Sequence, residues 1–146
     1  MNAPAQSDGY GQTTLCESGE FAGWRYWEGD PFESRAGPFY MRREADGSRV
    51  AAFRTQPHHM NGGGAIHGGC LMTFADFALF AIAHDELAGD HAVTINLAGD
   101  FLGPAGTGAL MEARGGGKTI FVRGLVTADG NPALSFTGII RRIRRS

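Results

Sequence analysis

Residues 61–83 read NGGGAIHGGCLMTFADFALFAIA, and this stretch decides the fold of the chain. Its first half is rich in glycine, whereas its second half is apolar and contains neither glycine nor proline. This change in composition predicts a flexible turn that leads into the N-terminus of a helix. The apolar residues between positions 71 and 82 point in every direction around the helical period, which is typical of a buried helix. The rest of the chain must therefore wrap around this helix.

Asp76 is the one carboxylate within this apolar stretch. Burying an ionised carboxylate without partners is so costly that the group would sooner become neutral. Two interpretations stay open at this point. In the first, Asp76 is a structural residue that lies at a gap in the wrapping or bonds to Thr73 or a neighbouring loop. In the second, Asp76 takes part in chemistry.

Length and composition favour one globular domain. The chain has 146 residues, of which 42% are hydrophobic, and a net charge of -2, so no strong field favours nucleic acid or an anionic membrane as a partner. Cys16 and Cys70 form neither a disulfide framework nor a zinc motif. The N-terminus lacks a secretory signal pattern, and no apolar run approaches the ~20 residues that span a bilayer. These features predict a cytoplasmic protein.

Short alternating runs on both sides of the helix predict strands. Residues 38–43 and 49–55 flank the turn sequence EADGS and predict a hairpin, whose second strand Pro57 ends. After the helix, which we expect to end near Ala88, glycine-containing turns separate four β-rich runs. These runs are residues 91–103, 109–116, 119–129 and 133–143.

Strands joined by such short turns pair antiparallel, because a parallel pair needs a crossover of about a dozen residues or more. The expected fold is α+β, with a curved antiparallel sheet of about six strands wrapped around one long central helix. We expect residues 1–20 to be a flexible leader and residues 21–146 to be a single domain. The aromatic segment 21–37 is expected to lie across the domain and cover part of it.

The glycine-rich loop does not match a nucleotide-binding motif. His67 stands where a third glycine would belong, and no GK[ST] sequence or βαβ unit accompanies the loop. The histidines show neither HExxH nor paired-cysteine spacing, which disfavours a metal site. Glycines do let a ligand approach the backbone, and free N–H groups at a helix start favour a developing negative charge. The loop therefore predicts an oxyanion site.

Six residues around the helix start carry a recognisable pattern: Asn61, His67, Gly68, Gly69, Ala75 and Asp76. Together with VTINLAGDFLGPA at residues 93–105, they resemble the PaaI-type branch of the hotdog-fold acyl-CoA thioesterases. The resemblance covers roughly residues 50–143. It implies a hotdog fold, a homodimer or homotetramer, and hydrolysis of an acyl-CoA thioester without a metal or cofactor.

The resemblance also implies roles for individual residues. Asp76 would be the nucleophile or the general base that activates water. The backbone N–H of Gly68 would polarise the thioester carbonyl, and Asn61 and His67 would orient substrate or water. Thr94 would lie near the attacking water, although simple strand alternation places it opposite the apolar residues around it, so this role requires that its face of the strand border the cleft.

Two further residues are implied in substrate binding. Gly69 completes the glycine pair, and Lys118 falls where the family often places a basic residue near the CoA nucleotide. A solvent-exposed turn lysine is an equally good interpretation of Lys118.

Helix geometry adds a separate expectation about assembly. The eight helical residues from Gly68 to Asp76 span ~12 Å. A thioester carbonyl that binds the Gly68 N–H and is attacked from Asp76 needs both groups within a few ångströms. We therefore expect shared active sites, with Asn61, His67 and Gly68 from one subunit and Asp76 from its partner.

The alternatives to a thioesterase are a hotdog hydratase or dehydratase, and a non-catalytic acyl-CoA binding module.

Overall fold

The structure, a computed structural model, describes residues 12–117 and 121–143. Within them one antiparallel sheet has the strand order β1-β2-β3-β4-β6-β7-β8-β5. The strands are β1 (Thr14–Leu15), β2 (Arg25–Tyr26), β3 (Tyr40–Arg43), β4 (Arg49–Arg54), β5 (His91–Phe101), β6 (Leu110–Gly116), β7 (Phe121–Ala128) and β8 (Asn131–Ile143). The helices are α1 (Pro31–Ala36), α2 (Gly68–Ile82) and α3 (His84–Leu87), with a 3-10 helix at Pro57–His59.

Helix α2 is the long central helix that the sequence predicts. It contacts β4, β5, β6, β7 and β8, so the sheet covers it along much of its length. Seven of its residues are buried: Leu71, Phe74, Ala75, Phe77, Ala78, Leu79 and Ala81. The predicted α+β architecture is confirmed. Neither α2 nor any other helix in the described part of the chain is long and apolar enough to cross a membrane.

One stripe of α2 is not covered, although the sequence predicts burial on all sides. Thr73, Asp76 and Phe80 are only partly buried, and their spacing places them on one face of the helix. Another face of α2 approaches the sheet closely at Gly138 of β8, where an added Cβ would collide with the Leu79 side chain. The sheet therefore covers much of α2 but leaves a gap at the stripe that carries Asp76.

The predicted strands after and before α2 are present. Strands β3 and β4 form the predicted hairpin around residues 44–48, and Pro57 begins the 3-10 helix after β4 ends. The four predicted runs after the helix form β5 to β8. The sheet gains two further strands, β1 and β2, of two residues each. These short strands escape sequence analysis because two residues show no alternation.

The N-terminal segment joins the sheet before it crosses the domain. Strand β1 pairs with β2, so residues 14–15, predicted to belong to a flexible leader, lie in the sheet. Helix α1 begins where the Asp30 carboxylate accepts the Glu33 N–H at 3.0 Å, with Pro31 as the first helical residue. Phe39 then enters the core at 2% exposure. The expected aromatic cover over the domain is therefore built around a short helix.

Candidate active site

The glycine-rich loop at residues 61–67 takes its shape from Asn61. The carboxamide oxygen of Asn61 accepts the N–H of Gly63 at 2.9 Å and the N–H of Ala65 at 3.2 Å. The Asn61 N–H donates to the Ala65 carbonyl, and Gly64 adopts a φ of +83°, which favours glycine. Asn61 therefore holds the loop that leads into α2.

His67 and Gly68 form the start of α2. The Nδ1 atom of His67 accepts the N–H of Gly69 at 2.9 Å, so in the neutral ring the proton lies on Nε2. Gly68 is the first helical residue, and the N–H at this position has no acceptor within the helix. The positive end of the helix dipole lies at the same point. The junction therefore presents donors of the kind that stabilise an oxyanion.

Phe101 and Cys70 lie close to this junction. A Cβ at Gly68 would lie 3.3 Å from two atoms of the Phe101 ring, so a larger residue there would press on the ring. Burial raises the pKa of the Cys70 thiol to about 11. Because the thiolate is the reactive form, Cys70 is a poor nucleophile at neutral pH.

Asp76 and Thr94 meet between α2 and β5. The Thr94 hydroxyl donates to Asp76 Oδ1 at 2.5 Å. The sequence left Thr73 open as a partner of Asp76, but the Thr73 hydroxyl donates to the Gly69 carbonyl at 2.8 Å instead. Asp76 therefore lies at the gap in the covering of α2, with its partner on a strand and one carboxylate oxygen directed to a neighbouring hydroxyl.

Strand β5 interrupts its alternation next to Thr94. Its pairing with β8 shifts between Thr94 and Asn96, which leaves Ile95 as an extra, bulged residue. Val93 and Ile95 are 41% and 57% exposed, although both are apolar. The side of β5 that carries Thr94 borders a cleft, which is what the role predicted for Thr94 requires.

A cleft of about 300 Å³ opens in front of Asp76. Segment 27–33, helix α2, residues 84–90 and strand β5 each supply part of its wall. Its polar lining consists of Asp30, Glu33, Asp76, His84, Asp90 and Thr94. Its apolar lining includes Trp27, Phe80, Leu87, Ala92 and Val93. The cleft thus combines an apolar wall with several carboxyl groups.

Two groups in the cleft have shifted pKa values. Burial raises the pKa of Glu33 to about 8, and the charges of Asp30 and Asp76 act in the same direction. Burial lowers the pKa of His84, and the nearby Arg49 lowers it further. Both shifts favour the uncharged form at neutral pH.

The predicted site residues fall into two groups. Asn61, His67, Gly68 and Gly69 lie together at the start of α2, whereas Asp76 and Thr94 lie together at the cleft. None of the first group lines the cleft. Because α2 is continuous from Gly68 to Asp76, the two groups are ~12 Å apart along its axis. Lys118 lies outside the described residues.

Sequence reasoning missed the part of the cleft that segment 27–33 contributes. Trp27, Asp30 and Glu33 line the cleft but precede the motif by about 30 residues or more. The available local signal was an Asp-Pro pair, which predicts a helix start, followed by an acidic residue in the first turn. That signal predicts the helix but does not predict where its side chains point.

Comparisons with known proteins find similar chains. Residues 63–132 match the model of the thioesterase superfamily. A protein of Pseudomonas aeruginosa named "Putative esterase PA0474" is 39% identical over 83 residues, which cover 56% of this chain and 62% of that protein. The match thus spans less than two thirds of the relative's length.

Two solved structures share the fold. The phenylacetic acid degradation protein PaaI from Thermus thermophilus, solved as a mutant, is 28% identical with a TM-score of 0.64, over 78% of this chain and 100% of that chain. The BH2602 protein from Bacillus halodurans, solved with CoA, is 27% identical with a TM-score of 0.64, over 73% of this chain and 74% of that chain.

The single antiparallel sheet, the central helix and these neighbours define a hotdog-fold protein, as the sequence predicts. Residues 63–132 are thus similar to the thioesterase superfamily, and the predicted resemblance to PaaI proteins is confirmed.

Proposed function

We propose that the protein is an acyl-CoA thioesterase, which hydrolyses a CoA thioester to a free acid and CoA. The observation that carries the proposal is the Asp76 carboxylate, which accepts the Thr94 hydroxyl in the lining of a cleft, within a region that matches the thioesterase superfamily. A neighbour of the same fold was solved with CoA, which supports CoA as part of the ligand.

Asp76 acts as the general base or as the nucleophile. As a base, Asp76 takes a proton from water while the water oxygen bonds to the thioester carbon. The tetrahedral intermediate then expels the CoA thiolate, which receives that proton. As a nucleophile, Asp76 bonds to the same carbon and expels the thiolate, and water then hydrolyses the resulting anhydride. In either route the Thr94 hydroxyl occupies Oδ1 and leaves Oδ2 for the reacting group.

The oxyanion is stabilised at the start of α2. The Gly68 N–H, which has no helical acceptor, donates to the carbonyl oxygen as its negative charge develops. His67 contributes through its Nε2–H, since its Nδ1 already accepts the Gly69 N–H. Asn61 acts by shaping the loop, and Lys118 is retained as the proposed contact for the CoA nucleotide.

The protein acts as a homodimer or homotetramer with shared sites. Within one subunit ~12 Å of helix separates Gly68 from Asp76, which is too far for both to act on one carbonyl. Strand β5 is the edge of the sheet and exposes several large apolar residues, among them Val93, Ile95 and Phe101. An apolar edge strand of this kind favours pairing with another chain. Pairing there would bring a second helix start towards Asp76.

Hybrid dimers test the shared site. Neither Gly68→Pro, which removes the N–H donor, nor Asp76→Asn is expected to hydrolyse thioesters alone. Mixing the two under conditions that exchange subunits is expected to restore up to about a quarter of wild-type activity, because half of the dimers are hybrids and each has one intact site. The first position of a helix tolerates proline, so we expect the Gly68→Pro variant to fold. Its folding and dimerisation are checked before the two variants are mixed. Activity that stays absent in a mixture of exchanged, folded subunits contradicts shared sites.

Release of free thiol from a panel of acyl-CoA esters tests the proposed activity. We expect thiol to appear in proportion to the protein with at least one of acetyl-, hexanoyl-, palmitoyl-, benzoyl- and phenylacetyl-CoA. A blank without substrate corrects for Cys16 and Cys70, which are free cysteines. A non-catalytic binding module would instead raise the melting temperature with acyl-CoA and release no thiol. A hydratase would consume the double bond of crotonyl-CoA without thiol release.

A further inference from the structure

Helix α1 is held firmly although it has only six residues. At its start, the Asp30 carboxylate accepts the Glu33 N–H at 3.0 Å. At its end, the Gly37 N–H donates to the Glu33 carbonyl at 2.7 Å. A Cβ at Gly37 would lie 2.4 Å from the Phe39 backbone nitrogen, so the chain turns there in a space that only glycine fits. These contacts fix the backbone of Glu33.

A buried histidine ties the same helix to the core. His59 is 2% exposed, and its Nε2 donates to the Ala36 carbonyl at 2.7 Å while its Nδ1 accepts the Gln56 N–H at 2.9 Å. Burial lowers the pKa of His59, which favours the neutral ring that this pair of hydrogen bonds requires. Helix α1 is therefore a rigid wall of the cleft, and Glu33 is presented from it.

Glu33 lies among groups that disfavour its negative charge. Burial is the largest cause, and the charges of Asp30 at the start of α1 and of Asp76 on α2 add to it. The other titratable groups of the cleft are His84, whose pKa is lowered, and Asp90, which pairs with Arg142 at 3.4 Å. No lysine or arginine is among the described residues that line the cleft. At neutral pH Glu33 therefore keeps its proton.

We propose that Glu33 is a further positioning residue of the reaction cleft, where it lies as an uncharged carboxylic acid beside Asp76, and that the carboxylates of Asp30 and Asp76 restrict this cleft to uncharged acyl groups. This inference rests on the proposed thioesterase function. Ionised Glu33 would add a negative charge beside Asp76, where the transition state itself becomes negative. The charge would also have to lose its hydration when an acyl chain enters the cleft. Both effects lower kcat/KM.

The pH profile tests the proposal. With a pKa of about 8, the protonated fraction of Glu33 falls about tenfold between pH 7 and pH 9, and kcat/KM for hexanoyl-CoA is expected to fall by the same factor in the wild type. Glu33→Gln, which is uncharged at every pH, is expected to change less than about twofold over that range. Spontaneous hydrolysis of hexanoyl-CoA is subtracted at each pH.

Glu28→Gln is the matched control, because Glu28 is an exposed glutamate of the same segment that does not line the cleft. It is expected to keep the alkaline loss of the wild type. A loss shared equally by wild type and Glu33→Gln overturns the role of Glu33 while leaving the thioesterase function intact. A wild type that releases no thiol from any ester overturns the proposed function itself, and the role of Glu33 with it.

Melting temperatures give a readout that does not depend on turnover. Folding raises the pKa of the Glu33 carboxyl to about 8. Its contribution to the free energy of unfolding is therefore complete below the ordinary pKa of a glutamate and is lost as the pH rises towards the pKa in the folded protein. The melting temperature of the wild type is therefore expected to fall relative to Glu33→Gln between about pH 4.5 and pH 8, and the difference is expected to level off above pH 8. A constant difference across this range contradicts the protonated state.

A matched pair of esters tests the restriction to uncharged acyl groups. Hexanoyl-CoA and adipoyl-CoA have acyl chains of equal length, but adipoyl-CoA ends in a carboxylate. The carboxylate would meet Asp30 and Asp76 without a cation in the cleft lining. We expect kcat/KM to be at least about tenfold lower for adipoyl-CoA than for hexanoyl-CoA. Even modest repulsion between the adipoyl carboxylate and the carboxylates of the cleft is enough for a tenfold change. Equal values for the two esters overturn the restriction.

Discussion

Replacing Asp76 with asparagine is expected to lower turnover at least about 100-fold, the loss typical of removing a general base, and further if Asp76 is the nucleophile. Asparagine keeps the size of the side chain and can still accept the Thr94 hydroxyl, but it can neither carry the charge nor take the proton. The measurement is kcat for the best ester of the panel, with folding checked by the melting temperature of the same preparation.

The same substitution is expected to leave the melting temperature equal or higher. Asp76 is half-buried in a cleft that Asp30 also lines, so removing its charge relieves repulsion from that carboxylate. Asp46→Asn serves as a control because Asp46 lies in the β3–β4 turn, and it is expected to keep full activity. Near-normal turnover by a folded Asp76→Asn protein would leave Asp76 as a structural residue and refute its catalytic role.

Phe74→Ala is expected to lower the free energy of unfolding by about 3–5 kcal/mol, the range found when a buried phenylalanine is truncated. Phe74 is 0% exposed, and its ring centroid lies 4.7 Å from that of Phe53 and 5.4 Å from that of Phe39. The substitution leaves a cavity where the central helix, β4 and the segment after α1 meet. Urea unfolding at one fixed protein concentration measures the change, since association would otherwise shift the midpoint.

Phe32→Ala is the matched control for this experiment. Phe32 is the same residue type but is 67% exposed on α1. Its truncation is expected to change the free energy of unfolding by no more than about 0.5 kcal/mol, as is usual at the surface. Similar losses for the two variants would contradict the assignment of Phe74 to a tightly packed core.

The motif at the start of α2 was readable from the sequence because its signals are local. Glycines at residues 62–64 and 68–69 and the apolar run after them lie next to one another in the chain. Their order alone predicts a turn, a helix N-terminus and free N–H groups. The hairpin around residues 44–48 was predicted for the same reason, since a turn and its flanking strands are contiguous.

The surroundings of Asp76 were not readable in the same way. The sequence shows a carboxylate in an apolar helix and leaves open what it contacts. The contact with Thr94 joins α2 to β5, and the pairing of β5 shifts at Ile95, directly after Thr94, which leaves no dependable mark in the order of side chains. Simple alternation therefore left the direction of the Thr94 side chain unresolved.

The sequence by itself determined the central helix, its glycine-rich start, the strand runs and the resemblance to PaaI-type thioesterases, because each rests on residues close together in the chain. Only the tertiary structure decided that Glu33 faces Asp76 and that His59 is buried beneath helix α1. The physical reason is that these relations join segments tens of residues apart. Such contacts are set by how the whole chain packs, and local propensity carries no record of them.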